Sequence, residues 1–220
     1  MAEGLIETLA GQQSEHGSEG FAIAPGIVTE AFDISAEGRV KVRIPAMPGF
    51  EPWARVSSVG AGSGRGFAWI PQVDDEVLVA FAQNDAAGAY VLGGLWSTRD
   101  RPPLDLPTDA LNKRVIKTGI AGAPGQTVEF DDLLQSVSIT TGTKQKIEMT
   151  PDKLEISGAF GALSIKLDTA SLTVTIQAVQ LELKAQSISI EGVSVDIKGS
   201  TVSIQSAGPC TVKGLPIALN

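Results

Sequence analysis

Cysteine and aromatic residues are scarce in this sequence, and each shortage narrows the range of folds. The single cysteine, Cys210, excludes an intrachain disulfide framework. Phe, Trp and Tyr make up only 5% of the 220 residues, which disfavours a large aromatic core. The Gly, Ser, Thr and Val content instead favours thin, sheet-like packing. With 43% hydrophobic and 19% charged residues, the composition is typical of a folded protein.

Positive charge is also scarce. The formal net charge is −8 and the sequence pI is about 4.7. No stripe of Lys and Arg is present that could neutralise nucleic-acid phosphates or hold the chain on an anionic lipid surface. The composition therefore argues against a nucleic-acid-binding domain and against a peripheral membrane protein.

Long apolar runs are missing as well. The opening residues, MAEGLIETLAGQQSEHGSEG, are acidic and lack the basic and apolar regions of a signal peptide. The longest apolar run, Val77–Ala82, is far shorter than the ~20 residues needed to span a bilayer. We expect the chain to be made in the cytoplasm without a signal peptide, and to leave only by a route other than ordinary secretion.

The first part of the chain has the pattern of a small closed barrel. Residues 1–20 are polar apart from Leu5, Ile6 and Leu9, and they predict either a short docking helix or a disordered tail. Residues 21–98 hold short strand-like runs separated by Gly, Pro and Asn, and residues 99–112 form a proline-rich linker. The runs are Arg39–Pro45, Trp53–Val59, Asp75–Phe81 and Ala89–Trp96.

From Lys113 onward the sequence again predicts strands and turns. Alternating apolar pairs recur at roughly eight or nine residues until Val174 and then every seven residues. An i, i+2 spacing is that of a strand, whereas a coiled coil needs apolar residues at i and i+3 or i+4. The residues with the seven-residue repeat that we expect to fill a core are Leu181, Leu183, Ile188, Ile190, Val195, Ile197, Val202 and Ile204.

This repeat favours three identical chains wound around one axis. A single chain needs about 21 residues for each turn of a triangular prism, and no 21-residue period is evident. We therefore predict that residues 113–208 form an intertwined trimeric β-helix, with strands paired between copies and folding coupled to trimerisation. Lys184, Glu191 and Lys198 repeat at the same interval; they either set the register between chains or form an ordinary solvated face.

Five motifs occur in the order found in a known family. They are GIV (Gly26–Val28), GRVKVRIP (Gly38–Pro45), WARV (Trp53–Val56), DEVLVAF (Asp75–Phe81) and VLGGLW (Val91–Trp96). These motifs resemble the OB-fold of contractile-tail spike proteins. That family includes phage baseplate assembly protein V, the valine-glycine-repeat spikes of type VI secretion, and the spikes of extracellular contractile injection systems.

After the linker, three further segments resemble the start of the family's trimeric β-helix: Asn112–Thr118, Gly125–Asp132 and Val137–Thr141. The resemblance covers roughly residues 21–220 and implies an all-β homotrimer. It implies a structural, membrane-piercing spike at the centre of a baseplate, which sheath contraction drives into a target envelope. The particle would be a phage tail or a phage-tail-like machine.

The resemblance also implies partners. No hub domain precedes the barrel in this sequence, so we expect a separate hub protein at the OB-fold end, contacted by Leu5, Ile6 and Leu9. Residues 209–220 would form a blunt tip that receives a PAAR-type cap; the expected contacts are Leu215, Pro216, Ile217 and Leu219. Many relatives have Gly where this chain has Asp74, a departure that affects one turn.

No catalytic residue, cofactor or metal is expected. The resemblance implies no wall-degrading activity, since no lysozyme-like domain separates barrel from helix. His16 lies far from the C-terminus, so a histidine-rich tip cannot be built. A fibre with receptor-binding or polysaccharide-cleaving activity is the alternative.

Four features could suggest other sites, and each has a plainer explanation. Trp53 and Trp69 could stack on nucleic-acid bases, but the Arg and Lys residues near them are interspersed with acids. Gly60–Gly66 lacks the spacing of a phosphate loop, and Asp131 with Asp132 fits a turn better than a catalytic pair. Three copies of Cys210 could bind a soft metal at a trimer axis, but a small packed side chain is the simpler interpretation.

Overall fold

The computed structural model describes residues 22–82, 88–120 and 123–217. Within these ranges the chain forms two β-sheets in succession, followed by a segment without strands. The expected contacts Leu5, Ile6, Leu9 and Leu219 lie outside the described residues, as does His16. None of the helices in the described ranges is long and apolar enough to span a bilayer.

The first sheet is a closed five-stranded barrel with the order β1-β2-β3-β5-β4, which confirms the barrel predicted from the sequence. The pairing is antiparallel except between β3 and β5, which run parallel. The strands are β1 (Ala22–Glu30), β2 (Arg39–Arg43), β3 (Trp53–Val56), β4 (Glu76–Phe81) and β5 (Ala89–Gly94).

The barrel core consists of small and branched side chains because alternate residues of each short strand point inward. Val40 and Val42 on β2, for example, are fully buried, while Lys41 between them is not. Only one aromatic residue, Phe81, belongs to the core cluster, in keeping with the low aromatic content. The fully buried larger side chains are Val28, Val40, Val42, Ile44, Val77, Val79 and Val91.

The two ends of the barrel carry different parts of the chain. At the entry end, where β1 begins, lie residues 44–52 and the close of β4. At the exit end lie the β1–β2 loop (residues 31–38), the β3–β4 loop (residues 57–75) and the end of β5. The chain leaves from the exit end, and Gln72 Nε2 in the β3–β4 loop donates a hydrogen bond of 3.0 Å to the Gly119 carbonyl beyond the linker.

Residues 113–177 form a second sheet of seven strands that follow one another in sequence order. All neighbouring pairs are antiparallel. A one-turn helix, α1 (Asp109–Asn112), precedes the sheet, and a 3₁₀ turn (Ala159–Gly161) lies between two strands. The strands are β6 (Lys113–Lys117), β7 (Thr127–Asp131), β8 (Ser136–Thr140), β9 (Lys146–Met149), β10 (Lys153–Ser157), β11 (Ser164–Asp168) and β12 (Thr173–Gln177).

This sheet corrects the expectation that every strand after Lys113 pairs with another copy. Residues 113–177 pair within one chain because their turns reverse its direction. The Asp131 carboxylate accepts backbone N–H bonds from Leu133 and Leu134, and Asp168 accepts one from Ser171. Such Asx turns stabilise a tight reversal. The spacing between apolar pairs in this region varies from seven to eleven residues, which leaves room for these loops.

Residues 178–217 form no strand with any other described part of the chain. They also make no backbone–backbone hydrogen bond within the described ranges. The chain bends at residues 179, 186, 193, 200 and 207, so the seven-residue period of the sequence is also a period of the backbone. A Cβ added at Gly199 would lie 3.2 Å from the Thr201 carbonyl oxygen, a tight contact that favours glycine at this corner.

Candidate functional site

The two faces of the second sheet carry different side chains: one face is apolar and the other is charged. Strand alternation places Val128 and Phe130 of β7 on the same face as the apolar pairs of the following strands, and the register aligns these pairs in two rows. Much of this face is exposed in the described chain: Phe130 is 42% exposed and Val174 is 67% exposed. The remaining members of the apolar face are Ile116, Val137, Ile139, Ile147, Met149, Leu154, Ile156, Ile165, Leu167 and Ile176.

The apolar residues of the seven-residue repeat are exposed as well. From Leu181 to Ile204 the exposed fraction of these eight side chains ranges from 51% to 76%. The structure thus places the predicted core residues on an uncovered surface of the single chain. A monomer seldom exposes so much contiguous apolar area, so the apolar face and the repeat together identify a surface for association.

The opposite face of the second sheet carries a row of ion pairs. Lys153 Nζ lies 2.8 Å from a Glu148 carboxylate oxygen and 2.9 Å from one of Glu155, and Lys146 Nζ lies 2.6 Å from Glu148. Hydrogen bonds from Lys146 and Lys153 lower the pKa of Glu148 to about 2, and the bond to Glu148 raises the pKa of Lys153. The charged side chains of this face pair with one another, which makes the apolar face the candidate surface for association.

A second charged cluster shapes the β1–β2 loop at the exit end of the barrel. The Asp33 carboxylate accepts hydrogen bonds from the backbone N–H groups of Ser35 and Glu37 and from the Arg39 guanidinium. Arg39 is the main cause of the strongly lowered pKa of Asp33. With Asp33 turned inward, its neighbours Phe32 and Ile34 project outward and are 77% and 92% exposed.

Sequence analysis missed this loop. The local signal is Asp33 itself, since an Asp carboxylate often accepts the backbone N–H two residues on, as it does here from Ser35. The pairing with Arg39 depends on β2 returning beside the loop, which the local sequence does not specify.

The β3–β4 loop adds an aromatic pair to the same end. Phe67 stacks on Trp69 with ring centroids 5.6 Å apart and planes at 5°. The two rings line a groove of about 410 Å³ together with Arg65 and three glycines, Gly62, Gly64 and Gly66. Trp53 lies elsewhere, on β3, with the Arg39 guanidinium 5.9 Å from its ring centroid. The structure therefore does not bring Trp53 and Trp69 together as a stacking platform for bases.

The other residues that could suggest a catalytic, phosphate-binding or metal site have structural explanations. Asp131 is buried and accepts hydrogen bonds from Leu133, Leu134 and the Asn112 amide, so it holds a turn, as predicted. Gly60–Gly66 lies in a loop between two strands rather than before a helix. Cys210 is exposed, and no cluster of three or more His, Cys, Asp or Glu occurs in the described ranges.

Comparison with known proteins identifies the barrel. Residues 24–96 match the family described as the type VI secretion system/phage-baseplate injector OB domain. The match extends from the middle of β1 to just beyond β5, so it covers almost the whole five-stranded barrel.

Two curated relatives match part of the chain, and one of them is named a spike protein. The actin cross-linking toxin VgrG1 of Vibrio cholerae serotype O1 is 33% identical over 102 residues, which cover 43% of this chain and 9% of the relative. The type VI secretion system spike protein VgrG5 of Pseudomonas aeruginosa is 33% identical over 103 residues, covering 44% of this chain and 13% of the relative. The chain thus corresponds to a small fraction of each relative. Together with the OB domain, these matches confirm the resemblance to the contractile-tail spike family.

Proposed function

We propose that this chain, which carries an injector OB domain, is the central spike of a contractile injection machine and acts as a homotrimer. The barrel forms the base of the spike and the C-terminal repeat forms its rigid forward part. Sheath contraction drives the spike into a target envelope, so its role is mechanical rather than catalytic. The proposed location is the baseplate of a phage or phage-tail-like particle.

The observation that carries this proposal is the unpaired repeat of residues 178–206. Backbone N–H and C=O groups are nearly always paired in folded proteins, and this segment has no backbone partner within the described chain. Strands contributed by other copies supply those partners, and the same arrangement covers the eight exposed apolar side chains. Three copies follow from the family and from the equivalence of the seven-residue units.

The apolar face of the second sheet supports the same assembly. Full burial of a Val, Leu or Ile side chain contributes about 1.5–3 kcal/mol. In a trimer, three such sheets facing one axis bury their apolar faces against each other and leave the ion pairs of Lys153 and Glu148 in solvent. The trimer carries a formal charge of −24, three times −8, which opposes adhesion to anionic envelope lipids during entry.

The partners are assigned to opposite ends. Strand β1 begins at the entry end of the barrel, which is opposite to the end from which the chain leaves for the second sheet. We therefore place a separate hub protein at the entry end, with Leu5, Ile6 and Leu9 as contacts. A PAAR-type cap would bind the C-terminal tip through Leu215, Pro216, Ile217 and Leu219. Leu215 is fully exposed and Ile217 is 49% exposed in the single chain, so both are available for such a contact.

Native mass spectrometry of the purified full chain tests the proposal, with and without mild detergent. A species of three times 22.8 kDa that persists in detergent is the expected result. The variant Ile147→Asp, in the centre of the apolar face, should abolish the trimer, whereas Thr175→Asp, on the polar face opposite Lys166, should leave it intact. A folded, soluble wild-type monomer would overturn the proposal.

A further inference from the structure

The β3–β4 loop (residues 57–75) lies wholly within the described ranges and contains neither strand nor helix. Loops of more than ~12–15 residues without secondary structure are uncommon, and they often carry a function. Hydrogen bonds within this loop hold its shape: Phe67 N donates to the Val59 carbonyl at 3.0 Å, and Gly62 and Arg65 bond to each other's backbone. The loop therefore presents a defined surface at the exit end of the barrel.

Large apolar side chains of this loop lie on the surface instead of in the core. The stacked rings of Phe67 and Trp69 are 51% and 44% exposed, and Val59, Ile70 and Val73 are exposed as well. Aromatic residues make up only 5% of the sequence, so a pair of them outside the core is conspicuous. Exposed apolar side chains that cluster in this way are typical of a surface that binds another molecule.

Two grooves meet at the stacked rings, and Phe67 and Trp69 line both of them. The first groove has a volume of about 410 Å³, and Arg65 also lines it. The second has a volume of about 240 Å³, and Pro71 and Asp75 also line it. Ligand sites commonly have volumes of about 300–1,000 Å³. Two adjoining grooves of this size favour an elongated ligand over a compact one.

The polar groups of the first groove suit a peptide main chain and a carboxylate. Gly64 and Gly66 have φ of 65° and 135°, and neither makes a backbone–backbone hydrogen bond within the described ranges. Their backbone groups can therefore pair with the main chain of a ligand. The Arg65 guanidinium has no ion pair in that part of the chain, whereas Glu37, in the same groove, lies 3.3 Å from Arg39. An Arg guanidinium binds a carboxylate through two parallel hydrogen bonds.

Other ligands fit these grooves less well. Nucleic acid requires several cations for its phosphates, and Arg65 is the one Lys or Arg among the described residues that line the two grooves. A neutral glycan would leave the Arg65 charge without a partner. A second copy of this chain is already accommodated elsewhere, because the proposed trimer uses the apolar face of the second sheet and the C-terminal repeat.

We infer that the β3–β4 loop is a peptide-binding site whose partner is an extended segment of another protein. That segment has an apolar side chain, which packs against Phe67 and Trp69, and a neighbouring carboxylate, which pairs with Arg65. Its main chain hydrogen-bonds to Gly64 and Gly66. This site is separate from the surfaces that form the proposed trimer, so the inference goes beyond the spike function.

Selection from a random heptapeptide library tests the inference. The library is displayed on yeast and selected on the purified full chain, and peptides that also bind the Trp69→Ala variant are removed. We expect the enriched peptides to carry an Asp or Glu beside an apolar residue. The inference is overturned if no peptide prefers the wild type to Trp69→Ala, or if the enriched peptides lack acids.

An enriched peptide then reports on the contact with Arg65 through its Kd, measured by calorimetry. Arg65→Gln should weaken binding by about tenfold or more, the effect of losing a hydrogen bond to a charged group. Converting the peptide's carboxylate to an amide should weaken it similarly, and the two changes together should cost no more than one alone. Effects that multiply would show that the two groups do not touch.

Two exposed residues elsewhere provide matched controls. Arg99→Gln removes a cation from the linker, and Phe160→Ala removes an aromatic ring from the second sheet. Both variants should bind the peptide with the wild-type Kd, and a loss in either would overturn the assignment of the site to the β3–β4 loop. Circular dichroism checks the fold of each variant. Arg65 is exposed, so Arg65→Gln keeps the test decisive even if Trp69→Ala fails to fold.

Native mass spectrometry separates this inference from the spike proposal. If Trp69→Ala is folded but no longer trimeric, the loop contacts another copy, and the peptide-binding inference is overturned while the spike proposal stands. If the wild-type chain is monomeric yet binds the selected peptide through Arg65, the spike proposal is overturned and the peptide site stands. Trimers that persist in both loop variants, with peptide binding lost, establish the site.

Discussion

Arg39 and Asp33 form a bidentate ion pair at the exit end of the barrel. Arg39 Nε donates to Asp33 Oδ2 at 3.1 Å and Nη2 donates to Oδ1 at 3.2 Å. The same carboxylate also accepts hydrogen bonds from the Ser35 and Glu37 backbone. The contact therefore fixes the conformation of the whole β1–β2 loop and holds Phe32 and Ile34 on the surface.

Replacing Asp33 with Ala should loosen this loop and destabilise the barrel. Removal of the carboxylate leaves several backbone N–H groups and a guanidinium without their acceptor. Glu37→Gln is the matched control, because Glu37 contacts the same Arg39 at 3.3 Å but is largely exposed. We expect a clear fall in melting temperature for Asp33→Ala and little change for Glu37→Gln, measured by circular dichroism. Equal effects would contradict the assignment of Asp33 as the anchor.

Gly26 is a packing requirement of the barrel. A Cβ at this position would collide with the Val42 side chain and lie 3.0 Å from Ile44 Cδ1, and both neighbours are fully buried. We predict that Gly26→Ala destabilises the chain by about 1–3 kcal/mol, the usual cost of overpacking. Gly93→Ala tests the opposite case, because nothing lies within 4 Å of its Cβ position. That variant should change the free energy of unfolding, measured in urea, by less than about 0.5 kcal/mol.

Asp74 occupies a left-handed backbone conformation with φ 73°. This geometry explains why Gly suits the position, since a side chain there costs up to about 1–2 kcal/mol. Asp74→Gly should be neutral or stabilise the chain by up to about 1 kcal/mol, because the relief is partly offset by the flexibility of Gly when unfolded. Asp74→Val should destabilise it by about 1–2 kcal/mol, and Asp74→Asn should be neutral. A stabilising effect of Val in urea unfolding would contradict this account.

The sequence predicts the barrel well because each strand can be recognised from the alternation of apolar and polar residues within it. In β2 the alternation of Val40 and Val42 with Arg and Lys already shows which face is buried, and Gly and Pro mark the turns. The ends are less accurate: the predicted run Trp53–Val59 stops at Val56 in the structure, where the β3–β4 loop begins. Strand runs with clear turn signals can therefore be located from sequence, to within a few residues at the C-terminal end.

Strand pairing in the second half is not a local property. The sequence shows that Ile147 and Ile156 belong to strands, but not that these two residues lie opposite each other in one chain. The antiparallel pairing depends on turns that Asp131 and Asp168 stabilise through backbone hydrogen bonds, and the spacing of the apolar pairs does not show that these turns reverse the chain. The last of these turns precedes β12, and the seven-residue spacing begins with Val174 in that strand. Its trimeric pairing stays a prediction.

Lowering the pH should remove the stabilisation that the ion pairs of the charged face give to the folded state. The pKa of Glu148 falls from 4.5 to about 2 on folding, chiefly through the hydrogen bond from Lys146 and then that from Lys153. A carboxyl whose pKa is lowered in the folded state stabilises that state above its unfolded pKa and loses this contribution as pH falls through the folded value. The loss should therefore occur between about pH 4.5 and pH 2.

Glu148→Gln isolates this contribution. The variant removes the carboxylate from the ion pairs with Lys146 and Lys153, so it should be less stable than the wild type at pH 7 and nearly equal to it at pH 2. The difference at pH 7 should be about 1 kcal/mol or less for each ion pair, since both partners are partly in solvent. Glu51→Gln, at an exposed position of the β2–β3 loop, controls for the loss of one carboxylate. Urea unfolding across this pH range measures the difference in the free energy of unfolding between Glu148→Gln and the wild type. A difference that stays constant from pH 7 to pH 2 would contradict the ion-pair assignment.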